Sequence, residues 1–359
     1  MSKNFAWKHL LVTGGAGFVG SNLAISFKNK YPNTDITVFD NLKRRGSEIN
    51  ISRLRDHGIS FIHGDIRNQE DLEKINAFDV MIECSAEPSV LSGYGESPLY
   101  LLNANLVGAI NCFELARRFD AAIIFMSTSR VYPYKKINEM DYEELETRYK
   151  WVNQKKYSGF ENGIDINFPL SGFRSMYGAS KLSAEYILAE YSAMYGVKSV
   201  INRCGVIAGP WQFGKVDQGV FTLWAMGHYF ERKLKYIGYG GDGKQVRDLL
   251  HVDDLFDVIE IQLIDLEKYA NQIFNIGGGY DISLSLLETT NICQKILGKA
   301  QPIEGEIKDR PADLRIYITS NKKFTDLSGW RPERSAQNII HDIFLWIESN
   351  EKSIISILD

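Results

Sequence analysis

Cysteine is scarce in this chain, with four residues in 359: Cys84, Cys112, Cys204 and Cys293. They lie far apart in apolar-patterned segments and form no C-x-x-C pair. That excludes a disulfide framework. Reduced thiols in a cytoplasmic protein are expected, and no metal site. Basic blocks are missing as well. Lys and Arg number 41 against 45 Asp and Glu, for a net charge of −4, so nothing electrostatic argues for a nucleic-acid partner. No apolar run is read as reaching membrane-spanning length. The start, "MSKNFAWKHLLVTGG", moves directly into a strand and a glycine turn without a secretory apolar region. A soluble protein with no membrane partner is expected. There is no internal repeat and no low-complexity tract.

What is present is ordinary globular material, 44% apolar and 24% charged, long enough for one large domain or two closely joined ones. Six short runs rich in apolar and β-branched residues read as strands: "HLLVTG", "DITVFD", "SFIHGD", "DVMIECS", "AAIIFMS" and "KSVINRC". Helical patterns fall between them near 18–30, 69–75, 96–118 and 176–195. This alternation predicts an α/β fold built on a doubly wound parallel sheet. The 96–118 segment is apolar on more than one face, as expected of a helix in the core or against another subunit. After Cys204 the rhythm breaks. Residues 205–359 read as a smaller C-terminal lobe with some segments returning to the first domain, and they end in the amphipathic "AQNIIHDIFLWIESNEK". Within 1–204, residues 134–172 form a polar, Tyr- and Lys-rich insertion, expected as a long excursion with short helical pieces.

"VTGGAGFVG" follows the first strand and opens the first helix, placing Gly14, Gly17 and Gly20 at G-x-x-G-x-x-G spacing. Glycines there permit a tight turn, close approach of the backbone to a pyrophosphate and close helix–strand packing, with the anion at the helix N-terminus. Asp40 ends the second strand twenty residues beyond Gly20, where an acidic residue binds adenosine ribose hydroxyls. The first 204 residues therefore read as a Rossmann-like dinucleotide-binding domain. A carboxylate at Asp40 repels a 2′-phosphate and favours NAD over NADP, although Lys43, Arg44 and Arg45 follow closely enough to receive one. Asp65 and Ile66, after the third strand, are placed to meet the adenine, with a helix N-cap the equal alternative for Asp65.

"FRSMYGASKLSAE" carries Tyr177 and Lys181 four positions apart at the start of a helix. Such a pair shares one helical face and, alone, is explained by covering a neighbouring turn. Its chemical reading is a phenol whose pKa, ordinarily ~10, is lowered by a nearby ammonium until it serves as a general base. That reading needs a cofactor and an alcohol beside it. "STSRVYPY" ends the fifth strand on the carboxyl edge, where ligands of such sheets bind. With the glycine turn, "FDN", "GDI", "NANLVGA", "YGASK", "GDGKQVRDLLHVDDL", "FNIGGG" and the "RPAD" at Arg310, nearly the whole chain resembles the extended short-chain dehydrogenase/reductase family of nucleotide-sugar epimerases and dehydratases.

That resemblance implies Tyr177 as base, Lys181 fixing the nicotinamide ribose and lowering the tyrosine pKa, and Thr128 hydrogen-bonding the reacting sugar hydroxyl. Ser127 and Ser129 flank Thr128 as structural residues. It further implies NAD contacts at Gly14, Gly17, Phe18, Val19, Asp40, Asn41, Asp65, Ile66 and Asn105. A homodimer, or an oligomer built from dimers, through helices 96–118 and 176–195 is also implied.

"WQFGKVDQG" followed by "GGDGKQVRDLLHVDDL" resembles the CDP-tyvelose (CDP-paratose) 2-epimerase subgroup. This implies a CDP-hexose substrate, contacts from Asn202, Gln212 and Gln218, a diphosphate held by Arg247 and Arg310, and Asp313 facing a ribose. For each arginine the plain alternative is a surface ion pair. The sequence departs from that subgroup at "ECSAEPSV", where Glu83 and Glu87 replace an "HLAG"-like turn, and in the length of the 134–172 insertion. A 4-epimerase or 4,6-dehydratase is the alternative enzyme. Ser129 and Arg130 stand where a dehydratase carries an acidic pair, which argues against dehydration. A non-catalytic NAD-binding scaffold would not need Thr128, Tyr177 and Lys181 together.

Overall fold

The computed structural model describes residues 5–214 and 218–358. Residues 215–217 of the "WQFGKVDQG" segment lie outside the described residues. Seven parallel strands form the central sheet in the spatial order Gln272–Ile276, Ser199–Cys204, Ala122–Thr128, Val80–Glu83, His9–Thr13, Asp35–Asp40, Ser60–His63. Connection direction therefore reverses between His9–Thr13 and Val80–Glu83, and a crevice opens at the carboxyl ends of such neighbours. The six strands read from the sequence are all here. The seventh, Gln272–Ile276, comes from the C-terminal part and pairs with Ser199–Cys204.

Both sheet faces are covered, so the strands are apolar throughout rather than alternating. Leu10 and Val12 point to the layer of helices Phe18–Lys30 and Val252–Ile264. Leu11 and Met81 point to the layer of Leu99–Arg118 and Met176–Tyr195. The Leu99–Arg118 helix corrects the sequence reading of apolar runs. It spans 20 residues with a mean hydropathy of 1.3 in its most apolar window, enough by length and composition to cross a membrane. Half of that window is buried inside the protein, with Ala109, Cys112, Phe113 and Ala116 facing the sheet. The polar Asn103, Asn105, Asn111 and Glu114 interrupt the run. A widened π-turn over Asn103–Val107 reorients Asn105, as such turns do near functional sites.

A second, smaller sheet continues from the first. Val206–Ala208 pairs with Val246–His251, which also pairs with Ser283–Ser285 and Ile316–Tyr317. Helices Val220–Tyr229, Leu286–Leu297 and Ala336–Ser349 enclose the core of this region around Phe221, Cys293, Ile339 and Ile343.

The 134–172 insertion contains one short helix, Tyr134–Asn138, and an antiparallel hairpin of Tyr142–Glu144 with Tyr149–Trp151, where only helical pieces were expected. The hairpin is ordered by what it packs on. Tyr149 and Trp151 bury against Val246, Leu314 and Ile316. The guanidinium of Arg148 forks onto Glu288 at 2.7 and 2.5 Å. The insertion thus straps the C-terminal part onto the end of the fifth strand.

Candidate active site

The crevice widens into a cavity of about 510 Å³ whose wall includes Gly14, Gly17, Phe18, Val19, Asp40, Asn41, Asp65, Ile66, Thr128, Tyr177, Gln212, Gln218, Arg247, Arg310 and Asp313. Most residues singled out in the sequence therefore meet in one space, although they come from positions 14 to 313.

At one end lies the glycine turn. Gly14 has φ +62°, and a Cβ there would meet the backbone of Cys84 and Ser85 at 2.8 Å, so only glycine fits where the first and fourth strands part. Gly17 opens the helix Phe18–Lys30 with no side-chain cap, which leaves amide donors of its first turn facing the cavity. An uncapped helix N-terminus fits a pyrophosphate. Asp40 accepts the amides of Ala16 at 3.1 Å and Leu42 at 2.8 Å. Burial raises its pKa above the usual carboxylate value, against the pull of these amides.

Arg44, in the same cavity wall, bonds Gln218 and the Phe213 carbonyl, and Arg45 reaches the Ser356 carbonyl at 3.3 Å. Asp65 accepts Asn41 Nδ2 at 2.9 Å and the Arg67 guanidinium at 2.6 Å. Burial opposes its ionisation, but Arg67 and Asn41 hold its pKa down at about 2. The helix cap expected as one alternative for Asp65 falls instead to Asn68, which accepts the Glu70 amide at 3.1 Å.

The Rossmann cradle thus has the uncapped helix end, the close-packed glycines and the ribose-side carboxylate that NAD requires.

The reacting edge is assembled by the helix Met176–Tyr195. Ser175 caps it by accepting the Gly178 amide at 3.3 Å. Gly178 lets the first turn touch the end of the fifth strand, because a Cβ there would lie 2.1 Å from the Arg130 carbonyl oxygen. That approach sets the Tyr177 phenol beside the Thr128 hydroxyl, which opposes the rise of its pKa. Thr128 also accepts the Arg130 amide at 3.1 Å. Ser127 is tied to Glu185, itself gripped by Arg203 at 2.6 Å. Ser129 is buried at the start of the turn that follows the fifth strand.

Three expectations are corrected here. Lys181 is 1% exposed and pairs with the fully buried Glu83 at 3.5 Å, its ammonium 3.9 Å from the Phe125 ring centroid. Burial holds the Tyr177 phenol above its ordinary pKa, and Thr128 and Arg130 oppose this. Asn202 is 0% exposed, and both ends of its amide bond Gln262, at 2.9 and 2.8 Å. It lies inside the sheet and cannot reach a substrate. Asn105 is also buried. It accepts the Glu87 amide at 2.7 Å and donates to the Glu87 carbonyl at 3.0 Å, so it fixes the 83–90 segment from below rather than lining the cavity.

The far wall is cationic. Asp313 accepts Arg247 at 2.9 Å and Arg310 at 3.4 Å, and Arg130 reaches the neighbouring Ala312 carbonyl at 3.3 Å. Asp313, expected to face a ribose, lines the cavity and is 6% exposed, paired with both arginines. Three guanidiniums around one carboxylate leave a net positive wall suited to phosphate oxygens. Burial lowers the Arg130 pKa to about 10, still charged at neutral pH. Gln212 anchors this region by donating to Ile207 and accepting Thr222.

Sequence reasoning missed Arg130 as part of this wall and Glu185 as the brace of Ser127. Glu185 was findable, since Tyr177, Lys181 and Glu185 recur every four residues on one helix face. Arg130 was weighed only as an argument against dehydration.

The comparisons agree with this geometry. The chain is 32% identical over 348 residues to a CDP-paratose 2-epimerase of Salmonella typhi, covering 95% of this chain and 99% of that one. A UDP-glucose 4-epimerase of Thermus thermophilus, solved in complex with NAD, superposes with a TM-score of 0.76 at 25% identity, covering 95% of this chain and 99% of that one. A dTDP-glucose 4,6-dehydratase of Bacillus anthracis, also solved with NAD, superposes with a TM-score of 0.74 at 25% identity over 96% and 97% of the two chains. Residues 10–277 match the family described as NAD dependent epimerase/dehydratase. With an NAD cradle, a Thr–Tyr pair and a cationic wall around one cavity, the chain belongs to the NAD dependent epimerase/dehydratase family.

Proposed function

We propose that the protein inverts C2 of a CDP-linked deoxyhexose, as in the conversion of CDP-paratose to CDP-tyvelose, by transient oxidation and re-reduction. The observation that carries this is the layout of the cavity. The glycine turn, Thr128 and Tyr177, and the arginines line one cavity, which supports a nucleotide sugar anchored by its diphosphate at Arg247 and Arg310 with its sugar at the phenol. When bound, NAD supplies hydride acceptance and return at the sugar carbon.

The residues of the chain handle protons and position. Tyr177 takes the C2 hydroxyl proton, directly or through the neighbouring Thr128 hydroxyl, and gives it back when the alcohol re-forms. The arginine wall holds the diphosphate while the keto sugar turns its other face. Arg130 in place of an acid beside Thr128 leaves no carboxylic acid there to drive elimination of water. The similarity to the Salmonella typhi 2-epimerase favours CDP and C2. The purified protein, incubated with CDP-, UDP-, GDP- and dTDP-hexoses and followed by NMR, is expected to epimerise the CDP-hexose at C2. Turnover confined to another base, or change at C4, overturns the assignment.

The helices Leu99–Arg118 and Met176–Tyr195 leave Leu99, Val107, Tyr186, Met194 and Tyr195 exposed. This supports a homodimer through a four-helix interface, and light scattering showing a monomer at micromolar concentration would exclude it. Four free thiols support a reducing, cytoplasmic setting.

A further inference from the structure

Glu83 ends the fourth sheet strand and is 0% exposed. One carboxylate oxygen accepts the Ser85 amide at 2.9 Å. The other lies 3.5 Å from Lys181 Nζ and accepts no hydrogen bond among the described residues. Lys181 therefore sits between a carboxylate and the Phe125 ring, beneath the cavity floor. Burial raises the Glu83 pKa, and Lys181 and the Ser85 amide oppose that rise, so a charge pair this deep persists only while each partner compensates the other.

We propose that Glu83 is a positioning residue that pins Lys181 and offsets its charge, so that Tyr177 keeps its proton to a higher pH than a lone lysine neighbour would allow. The inference rests on Tyr177 acting as the base. The surroundings leave few other charges to do this. Cys84, Cys112 and Cys204 face the pair, and burial keeps their thiols neutral, Cys204 at about 12. Glu185, one turn beyond Lys181, is neutralised by Arg203 at 2.6 Å. Arg130 favours the phenolate from the cavity side, while Glu83 opposes it from below. The phenol therefore feels one cation through the cavity and a compensated pair through the floor. Burial raises its proton affinity most, and Glu83 adds to that rise from the floor.

The test is a direct titration of Tyr177 in the whole protein labelled with ¹³Cζ-tyrosine, its resonance assigned by Tyr177→Phe, alongside the pH profile of kcat/KM. In Glu83→Gln the titration midpoint and the acidic limb of the profile should fall by about one pH unit or more, the scale of an opposite charge freed nearby. Glu83→Asp keeps the charge on a shorter arm, so its midpoint should fall by less. A side chain that merely filled space would leave both midpoints in place. An unmoved midpoint in Glu83→Gln overturns the inference. If that variant does not fold, the same reading is taken from Glu83→Asp, where an unmoved midpoint overturns it and a lowered one supports it. Activity retained by Tyr177→Phe would instead refute the base assignment, so the two failures are distinguishable.

Discussion

Adding one methyl group at Gly178 should separate catalysis from folding. An ideal Cβ there lies 2.1 Å from the Arg130 carbonyl oxygen and 2.9 Å from its carbonyl carbon, whereas ordinary contact begins at 3.4 Å. In Gly178→Ala the first turn of the helix and the end of the fifth strand must part by about 1.3 Å, the difference between 3.4 and 2.1 Å. That gap opens between Tyr177 and Thr128. A misplacement of ~1 Å at reacting groups costs about 10²-fold in rate, while overpacking of this kind costs about 1–3 kcal/mol of stability.

Gly196→Ala at the other end of the same helix provides the control. Gly196 has φ +73° with nothing within 4 Å of an added Cβ, so alanine there meets only left-handed backbone strain of about 1–2 kcal/mol. Both variants should lose similar thermal stability, but only Gly178→Ala should lose kcat/KM. Melting curves and initial rates on the two proteins decide it. Gly178→Ala with kcat/KM near wild type would refute the claim that this contact sets the Tyr177–Thr128 geometry.

Two further outcomes follow from the cavity and its floor. Arg247→Lys replaces a planar fork that bonds Asp313 at 2.9 Å and the Leu314 carbonyl at 2.6 Å, and should weaken nucleoside-diphosphate binding about tenfold; unchanged affinity by calorimetry would remove Arg247 from the diphosphate site. Asp248 is fully buried with its pKa raised to about 6, chiefly by burial. Its folded state holds the proton more tightly than the unfolded chain, so its contribution to stability is present below pH 4 and lost as pH rises through 6. The loss is about 3 kcal/mol. The stability of wild type relative to Asp248→Asn should decline by about 2 kcal/mol between pH 4 and 7, and a constant difference in melts across this range would refute the assignment.

The sheet was legible because both of its faces are buried, so its strands appear as unbroken apolar runs between helical patterns. The cradle was legible because Gly14, Gly17 and Asp40 keep fixed offsets from the strands that carry them. Other features leave no local trace. The hairpin strands "YEE" and "YKW" are short and polar, and they are ordered by packing on residues more than 90 positions away. Asn202 was implied as a substrate contact only by the subgroup resemblance. Its side chain lies in the sheet's buried layer, where only Gln262 on a facing helix satisfies it. The Glu83–Lys181 pair joins a strand end to a helix 98 residues later, and the π-turn that aims Asn105 has no sequence signature. Tyr177 and Lys181 do share one face, as their spacing required, yet which charge the ammonium meets is decided by the strand beneath it.

The central claim is that the hydrogen removed from C2 is the one returned there, and isotope labelling tests it most directly. CDP-paratose carrying deuterium at C2, converted by the purified protein in H₂O, should give product that keeps the label. Unlabelled substrate converted in D₂O should give product with no deuterium at C2. Solvent deuterium at C2, or loss of the C2 label, would contradict the account.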